Sequence, residues 1–237
     1  MSVTDPAVTS LLRALDAHRG PGLPALPLED LSRSVGLDGM AFLLVPADGP
    51  GHLVQSFGER TVALEDLQLT QGQGPGPDTA RHGSAVLVPD LAALDPARWP
   101  GLPAPALELG VYAVFAFPLG IGLITAGVLT GHRTTPGPMT NTRLTTTLVW
   151  ADHLTHHLIA QAAGPGGPHR LLDTTQLHFA EVYQATGMLA ARHDIDFIQA
   201  LARLRSHAFH TEQPLLDVAR QILTRRLRLN TDNTPST

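Results

Sequence analysis

Between residues 181 and 229, apolar side chains return every three to four positions in three separate stripes. Val182, Ala185, Met188 and Leu189 form the first, Phe197, Leu201, Leu204 and Ala208 the second, and Leu215, Val218, Ala219, Ile222 and Leu223 the third. That period belongs to α-helix, and each stripe needs another apolar surface to cover it. The stretch therefore predicts three short amphipathic helices packed on one another. HDID, ending at Asp196, marks the first turn, where Asp194 or Asp196 can cap the second helix, and TEQP marks the second, where Pro214 suits the first turn of the third. About fifty residues make a small core, so a bundle of this size is expected to lean on a partner or a second copy.

Charge adds a direction. The chain has no lysine, and Arg203 to Arg228 holds six arginines against only Glu212 and Asp217, although the whole chain carries a formal −5. An anionic partner should therefore meet the last two helices. On the second helix Arg203, His207 and His210 are spaced i, i+4 and i+7, which predicts a shared face well away from the buried stripe, with Arg205 flanking that stripe. The third helix would add Arg220, Arg225, Arg226 and Arg228 along a phosphate backbone. Guanidinium groups make bidentate phosphate contacts and stack on unpaired bases, as single-stranded loops require. A solvated arginine face is the plain alternative.

Three pieces of this block, QATGM at Gln184 to Met188, QALARLRSHAF at Gln199 to Phe209 and PLLDVARQILTRRLR at Pro214 to Arg228, resemble the ANTAR domain of transcription antitermination regulators, in its actinobacterial version most of all. The resemblance implies RNA binding through Gln184, Thr186, Arg203, Arg205, His207, Arg220, Arg225 and Arg226. Many members carry lysine where this chain has Thr186, which implies a missing phosphate contact. The family's mode of action implies paired leader hairpins as the partner and a homodimer as the unit that binds them.

Residues 1–161 read differently. Helical spacing in VTSLLRALDAHR is followed by strands at MAFLLVPA and HLVQSFG, a short helix at VALEDLQLT, and strands at AVLVPDL, YAVFAFPLG and ITAGVLTGHR. A long helix, TRLTTTLVWADHLTHHLIAQ, closes the series. Order and lengths predict an α+β domain with an antiparallel sheet and flanking helices, ahead of an all-α three-helix bundle. The Pro/Gly-rich pieces at 20–30 and 99–105 read as loops. The apolar run from Gly110 to Gly131 is broken by Pro118 and several glycines, so two adjacent strands explain it better than a membrane span. With Asp5, Pro6 and Asp16 near the start there is no signal-peptide pattern, and the expected location is cytoplasmic, with no membrane partner. The absence of cysteine removes thiol chemistry, disulfides and sulfur-based zinc sites.

The same plan, with the segment from Glu65 to Leu91 and RWPGLP ahead of GVYAVFAFPLG, resembles a GAF sensor domain over about residues 5–161. Relatives of this kind commonly carry GEGPC where this chain has GQGPG at Gly72 to Gly76, so a cysteine-linked ligand is not implied, and a small-molecule pocket is the most that carries over. Such a pocket is expected on one face of the sheet beneath residues 70–97. Its candidates by position are Phe42, Gln55, Asp78, Arg81, Trp99 and Phe117, each of which can equally be core material.

His153 and His157 have an i, i+4 metal spacing, but no third ligand follows, and a helix pairing with a second subunit through Leu144, Leu148, Leu154 and Leu158 is the reading preferred over metal. No metal or cofactor is expected. Residues 162–169, AAGPGGPH, read as a hinge between 1–161 and 170–229, and residues 230–237 as a disordered tail. QGQGPGPD lacks the lysine and the preceding βαβ unit of a phosphate loop, and no GxSxG or paired-carboxylate site supports an enzyme. The expectation is a signal-responsive regulator that binds RNA; the rivals are a DNA-binding transcription factor and a ligand-sensing scaffold whose tail binds protein.

Overall fold

The computed structural model describes residues 6–18, 23–46, 51–122, 124–163 and 178–229. These fall into two compact units, residues 6–163 and 178–229. Residues 164–169 of the expected hinge, and all of the expected tail, lie outside the described residues.

The first unit is built on five antiparallel strands, β1 (Gly39–Leu44), β2 (His52–Phe57), β3 (Val86–Val88), β4 (Ala113–Ile121) and β5 (Ile124–Arg133), in the order β2-β1-β5-β4-β3. The apolar run from Gly110 to Gly131 is thus the β4–β5 hairpin. Pro118 is tolerated within β4 because β3 pairs only with Val114 to Ala116, so no strand runs beside the proline on that side.

One face of the sheet is covered by α1 (Pro6–Ala17), α2 (Leu28–Val35) and α6 (Asn141–Ala162). Leu11 and Leu15 of α1, Leu28, Leu31 and Val35 of α2, and Trp150, Leu154 and Leu158 of α6 meet Met40, Phe42, Phe115, Phe117 and Leu129 there. The other face carries α3 (Thr61–Gln71), α4 (Pro75–His82) and α5 (Pro103–Glu108), with Leu64, Val88, Trp99, Leu102 and Val114 as a second core. The fold class is therefore α+β, and among the described residues no helix is long and apolar enough to cross a membrane.

Helices α2, α4 and α5 were not legible in the sequence. The segments read as loops contain the starts of two of them, Pro27 preceding α2 and Pro103 opening α5, and Pro75 opens α4 in the glycine-rich run after α3. Proline fits the first turn of a helix, where the missing N–H has no partner to lose, so clustered prolines concealed helix starts as loops. The proposed pairing seam also needs correction. Leu154 and Leu158 are core residues against the sheet and Leu144 packs beside them, leaving only Leu148 of the four exposed. His157 meets the ring of His18, the residue that follows α1, 6.3 Å between centroids.

The C-terminus of α2 ends inside the domain, at Gly36 in the left-handed conformation with φ 64°. Its last carbonyls have no helical partner, and burial would leave them costly. Arg133, at the end of β5, answers this: its Nε donates to Gly36 O at 2.7 Å and its Nη2 to Val35 O at 3.4 Å. Its Nη1 donates to Gly137 O and Pro138 O at 3.3 and 3.2 Å, and the guanidinium lies 5.2 Å from the Phe115 ring centroid. Asp38 completes the corner by accepting from the Thr134 amide at 2.6 Å.

The second unit is a three-helix bundle, α7 (Ala180–His193), α8 (Phe197–His210) and α9 (Leu215–Leu223). Val182, Ala185 and Leu189 pack with Leu201, Leu204 and Ala208 and with Leu215, Val218, Ala219 and Ile222 in its buried interior. Asp196, and not Asp194, caps α8, accepting from Gln199 N at 2.7 Å, while Asp194 ends α7 in the left-handed region with φ 51°.

Replacing Arg133 by methionine keeps the aliphatic stem but orphans one buried and three partly buried carbonyls. The unfolding free energy of the first unit is expected to fall by about 2–3 kcal/mol. An unchanged urea midpoint in Arg133→Met would show that water replaces the guanidinium without loss.

Candidate functional site

Each residue expected to touch RNA has a definite place in the bundle. Gln184 is exposed on α7. Thr186 is not: it is fully buried, and its hydroxyl donates to Val182 O at 2.7 Å. In this chain the position is core, so its side chain offers no phosphate contact. Arg205 is half-buried, and burial pushes its guanidinium down to about 10, opposed by the neighbouring Tyr183. Arg203 and His207 do not stand well away from the stripe; both are half-buried on its flank, and Arg203 Nη1 is enclosed without a hydrogen-bond partner. His210 alone of that trio is exposed. The i, i+4, i+7 spacing did set one side of the helix, but a three-helix bundle covers more of each helix than a single stripe.

Arg220 is exposed on α9, with Nε 3.0 Å from Glu181 Oε2 and Nη1 3.7 Å from Asp217 Oδ1. Arg225, Arg226 and Arg228 are exposed but not helical. The chain leaves α9 at Thr224, whose hydroxyl donates to Arg220 O at 2.8 Å, and Arg225 takes φ 58°. Three arginines expected along a helix face thus sit in the turn and segment after it. Two large apolar residues of α8 point outward and were missed: Ile198 is 65% exposed and Phe209 81%. Their signal was angular, because each stands one residue away from a buried-stripe member.

In the first unit, the six pocket candidates do not converge. Phe42 and Phe117 face α1, α2 and α6, the side opposite residues 70–97. Gln55 ties down the approach to α2, accepting from Leu26 N at 2.8 Å and donating to Pro24 O at 2.6 Å. Asp78, Arg81 and Trp99 do come together: Trp99 Nε1 and Arg81 Nη1 donate to the Asp78 carboxylate at 3.1 and 2.9 Å, with Arg98 stacked 4.4 Å from the indole centroid. Trp99 itself belongs to the second core.

On that same face the sequence concealed a buried polar cluster. Glu65 of α3 accepts from Thr130 Oγ1 at 2.5 Å and from Gln68 Nε2 at 3.1 Å. Gln68 Oε1 in turn accepts from Gly76 N at 2.8 Å, so the opening turn of α4 is already engaged and the glycine run is a helix start, not a phosphate cradle. Burial pushes the Glu65 carboxyl up to about 7, with the Thr130 hydrogen bond acting against it. Elsewhere on the sheet, burial holds His52 and His132 down at about 4. Glu65 reads as a surface acid in its own helix. Only strand β5 brings Thr130 to it, and no local pattern reports that.

Residues 174–223 match the model of the ANTAR domain. The C-terminal unit is an ANTAR domain. An RNA-binding antitermination module therefore occupies the helical bundle of this chain. No curated protein matches the chain. Among solved structures, the chain is similar to the GAF domain of a phosphoenolpyruvate-protein phosphotransferase from Coxiella burnetii, at 19% identity and a TM-score of 0.48, covering 67% of this chain and 96% of that one. It is also similar to a domain of a putative two-component sensor histidine kinase protein from Sinorhizobium meliloti 1021 (17%, 0.45, 56% and 86%). A third is the GAF domain of the Acinetobacter phosphoenolpyruvate-protein phosphotransferase (14%, 0.44, 57% and 78%). Likeness at this level decides nothing about the chemistry of the first unit.

The Glu65 carboxyl makes a signed prediction. Its folded-state value lies above the ordinary 4.5, so its contribution to stability is full below about pH 4.5 and is lost as pH rises to about 7. His52 and His132 act oppositely, contributing above their ordinary 6.5 and losing it as pH falls toward about 4. The difference between wild type and Glu65→Gln removes the histidine background. That difference should move against the wild type by about 3 kcal/mol between pH 4.5 and 7, at ~1.4 kcal/mol per pH unit. A pH-independent difference in chemical denaturation would mean that the carboxyl is not held protonated.

Proposed function

We propose that this chain is a signal-responsive antitermination regulator that acts from the cytoplasm as a homodimer. Its ANTAR domain binds hairpin loops in nascent leader RNA, and holding one hairpin keeps the terminator from forming. The observation that carries the reading is the ANTAR match over residues 174–223, on a bundle that exposes Arg220, Arg225, Arg226 and Arg228 at one end of its last helix. Two copies would engage two loops, and joining them raises the effective concentration of the second contact without adding any new one.

The first unit, residues 1–161, is proposed as a GAF-type sensor and dimerisation domain, linked to the RNA-binding domain, residues 170–229, through 162–169. Of the sensor candidates, Asp78, Arg81 and Trp99 remain together as possible ligand anchors, and Glu65 and Thr130 lie on the same face of the sheet. The chain is read as regulatory and not catalytic.

A leader-reporter fusion tests the main claim. Removal of residues 170–237 should reduce read-through to the level without regulator, and unchanged read-through would refute the proposal. Exchange of Arg220, Arg225 and Arg226 for glutamine should weaken RNA binding for every loop sequence and flatten the log affinity against log salt slope by about 2. A slope that stays the same would place the phosphate contacts elsewhere.

A further inference from the structure

We infer that Phe209 is a base-stacking platform: its ring receives an unpaired base of the bound RNA loop, so that α8 contributes a contact to the bases in addition to charge. This rests on the RNA-binding reading and specifies how α8 takes part in it.

The ring is exposed where burial was open to it. Phe209 is 81% exposed in a bundle whose interior accepts Leu201, Leu204 and Ala208 of the same helix. It is the last but one residue of α8, and no core contact holds it. Ile198 and Ala202 lie on the same outward side, at helical spacing of eleven and seven residues from it, and both are exposed. Water gains nothing from a bare phenyl ring, so the residue calls for a partner with a flat apolar face.

The charge of the helix chooses among partners. From Phe197 to His210 there is no carboxylate, while Arg203, Arg205, His207 and His210 supply the titratable groups. An aromatic ring on a helix that holds two arginines and no carboxylate, with Glu212 the first acid after it, suits a polyanion that also presents π-faces, and an unpaired nucleotide offers both in one unit. An apolar protein partner would be met by the same ring, but would draw nothing from the charge of the helix. The arginines cannot take over the stacking role themselves. Arg205, at i−4, lies beside Tyr183 and is half-buried, Arg203 is half-buried, and Arg220 is paired with Glu181.

The test uses the full-length chain and a hairpin recovered by it from a random-loop RNA library, with 2-aminopurine placed in turn at each loop position. Phe209→Trp should keep the affinity, whereas Phe209→Leu, apolar but without a ring, and Phe209→Ala should each weaken it on the order of 10–100-fold. One loop position should show 2-aminopurine quenching with the wild type and lose it with Phe209→Leu, while the slope of affinity against salt stays constant, since no phosphate contact is removed. Affinity within twofold of wild type for Phe209→Leu, or quenching that survives it, overturns the inference while the RNA-binding reading stands. A change in oligomeric mass on Phe209→Ala with unaltered RNA affinity also overturns it, and assigns the ring to a protein contact. Recovery of no hairpin by the wild-type chain defeats the RNA-binding reading itself. Because the side chain is exposed, unchanged thermal melting of all three variants is expected, and it separates loss of contact from loss of fold.

Discussion

The guanidinium of Arg133 is the point on which the first unit depends. A helix that ends in solvent can leave its last carbonyls to water, but α2 ends beneath the segment that leads into α6. One side chain from β5 satisfies carbonyls of α2 and of residues 137–138 together, and lays its flat face near Phe115 of β4. Sheet, second helix and the approach to the longest helix are thereby fixed at one corner. An arginine can do this because its donors spread in a rigid planar fork; an ammonium on a flexible stem cannot reach the same set.

With that corner fixed, the sheet has two unlike faces. The side under α1, α2 and α6 is almost wholly apolar, and Phe42, Phe115 and Phe117 are consumed by packing. The side under α3, α4 and α5 mixes a smaller apolar core with Glu65, Gln68, Thr79 and Thr130, all buried. A low-dielectric site that contains a carboxyl is expensive unless that carboxyl is neutral or hydrogen-bonded, and Glu65 is held by both means. The first side is therefore an apolar core, and the second combines a core with a buried polar cluster.

The ANTAR domain divides its residues by a similar rule. Its interior is small, so each helix surrenders more of its circumference to packing than a single stripe would require, and Thr186, Arg205 and Tyr183 are drawn inward. What remains outside includes Gln184, Ile198, Ala202, Phe209, His210 and Arg220, the acids Asp194, Asp196, Glu212 and Asp217, and the arginines that follow α9.

Periodicity alone determined the three helices after residue 178, the order of the five strands along the chain, the hairpin of Gly110 to Gly131 and the long helix α6, because each is a local pattern of apolar side chains that repeats several times. Motif spelling at Gln184, Gln199 and Pro214 likewise pointed to the ANTAR domain before any coordinate did. Short proline-led helices gave too few turns for a period to register, and their prolines looked like loops. Which side of the sheet Phe42 and Asp78 occupy, the burial of Thr186, the departure of Arg225 to Arg228 from the helix, and the meeting of Glu65 with Thr130 were decided only by tertiary structure. These depend on contacts between residues far apart in the chain, and a one-dimensional pattern carries no record of which distant surface will cover a given side chain.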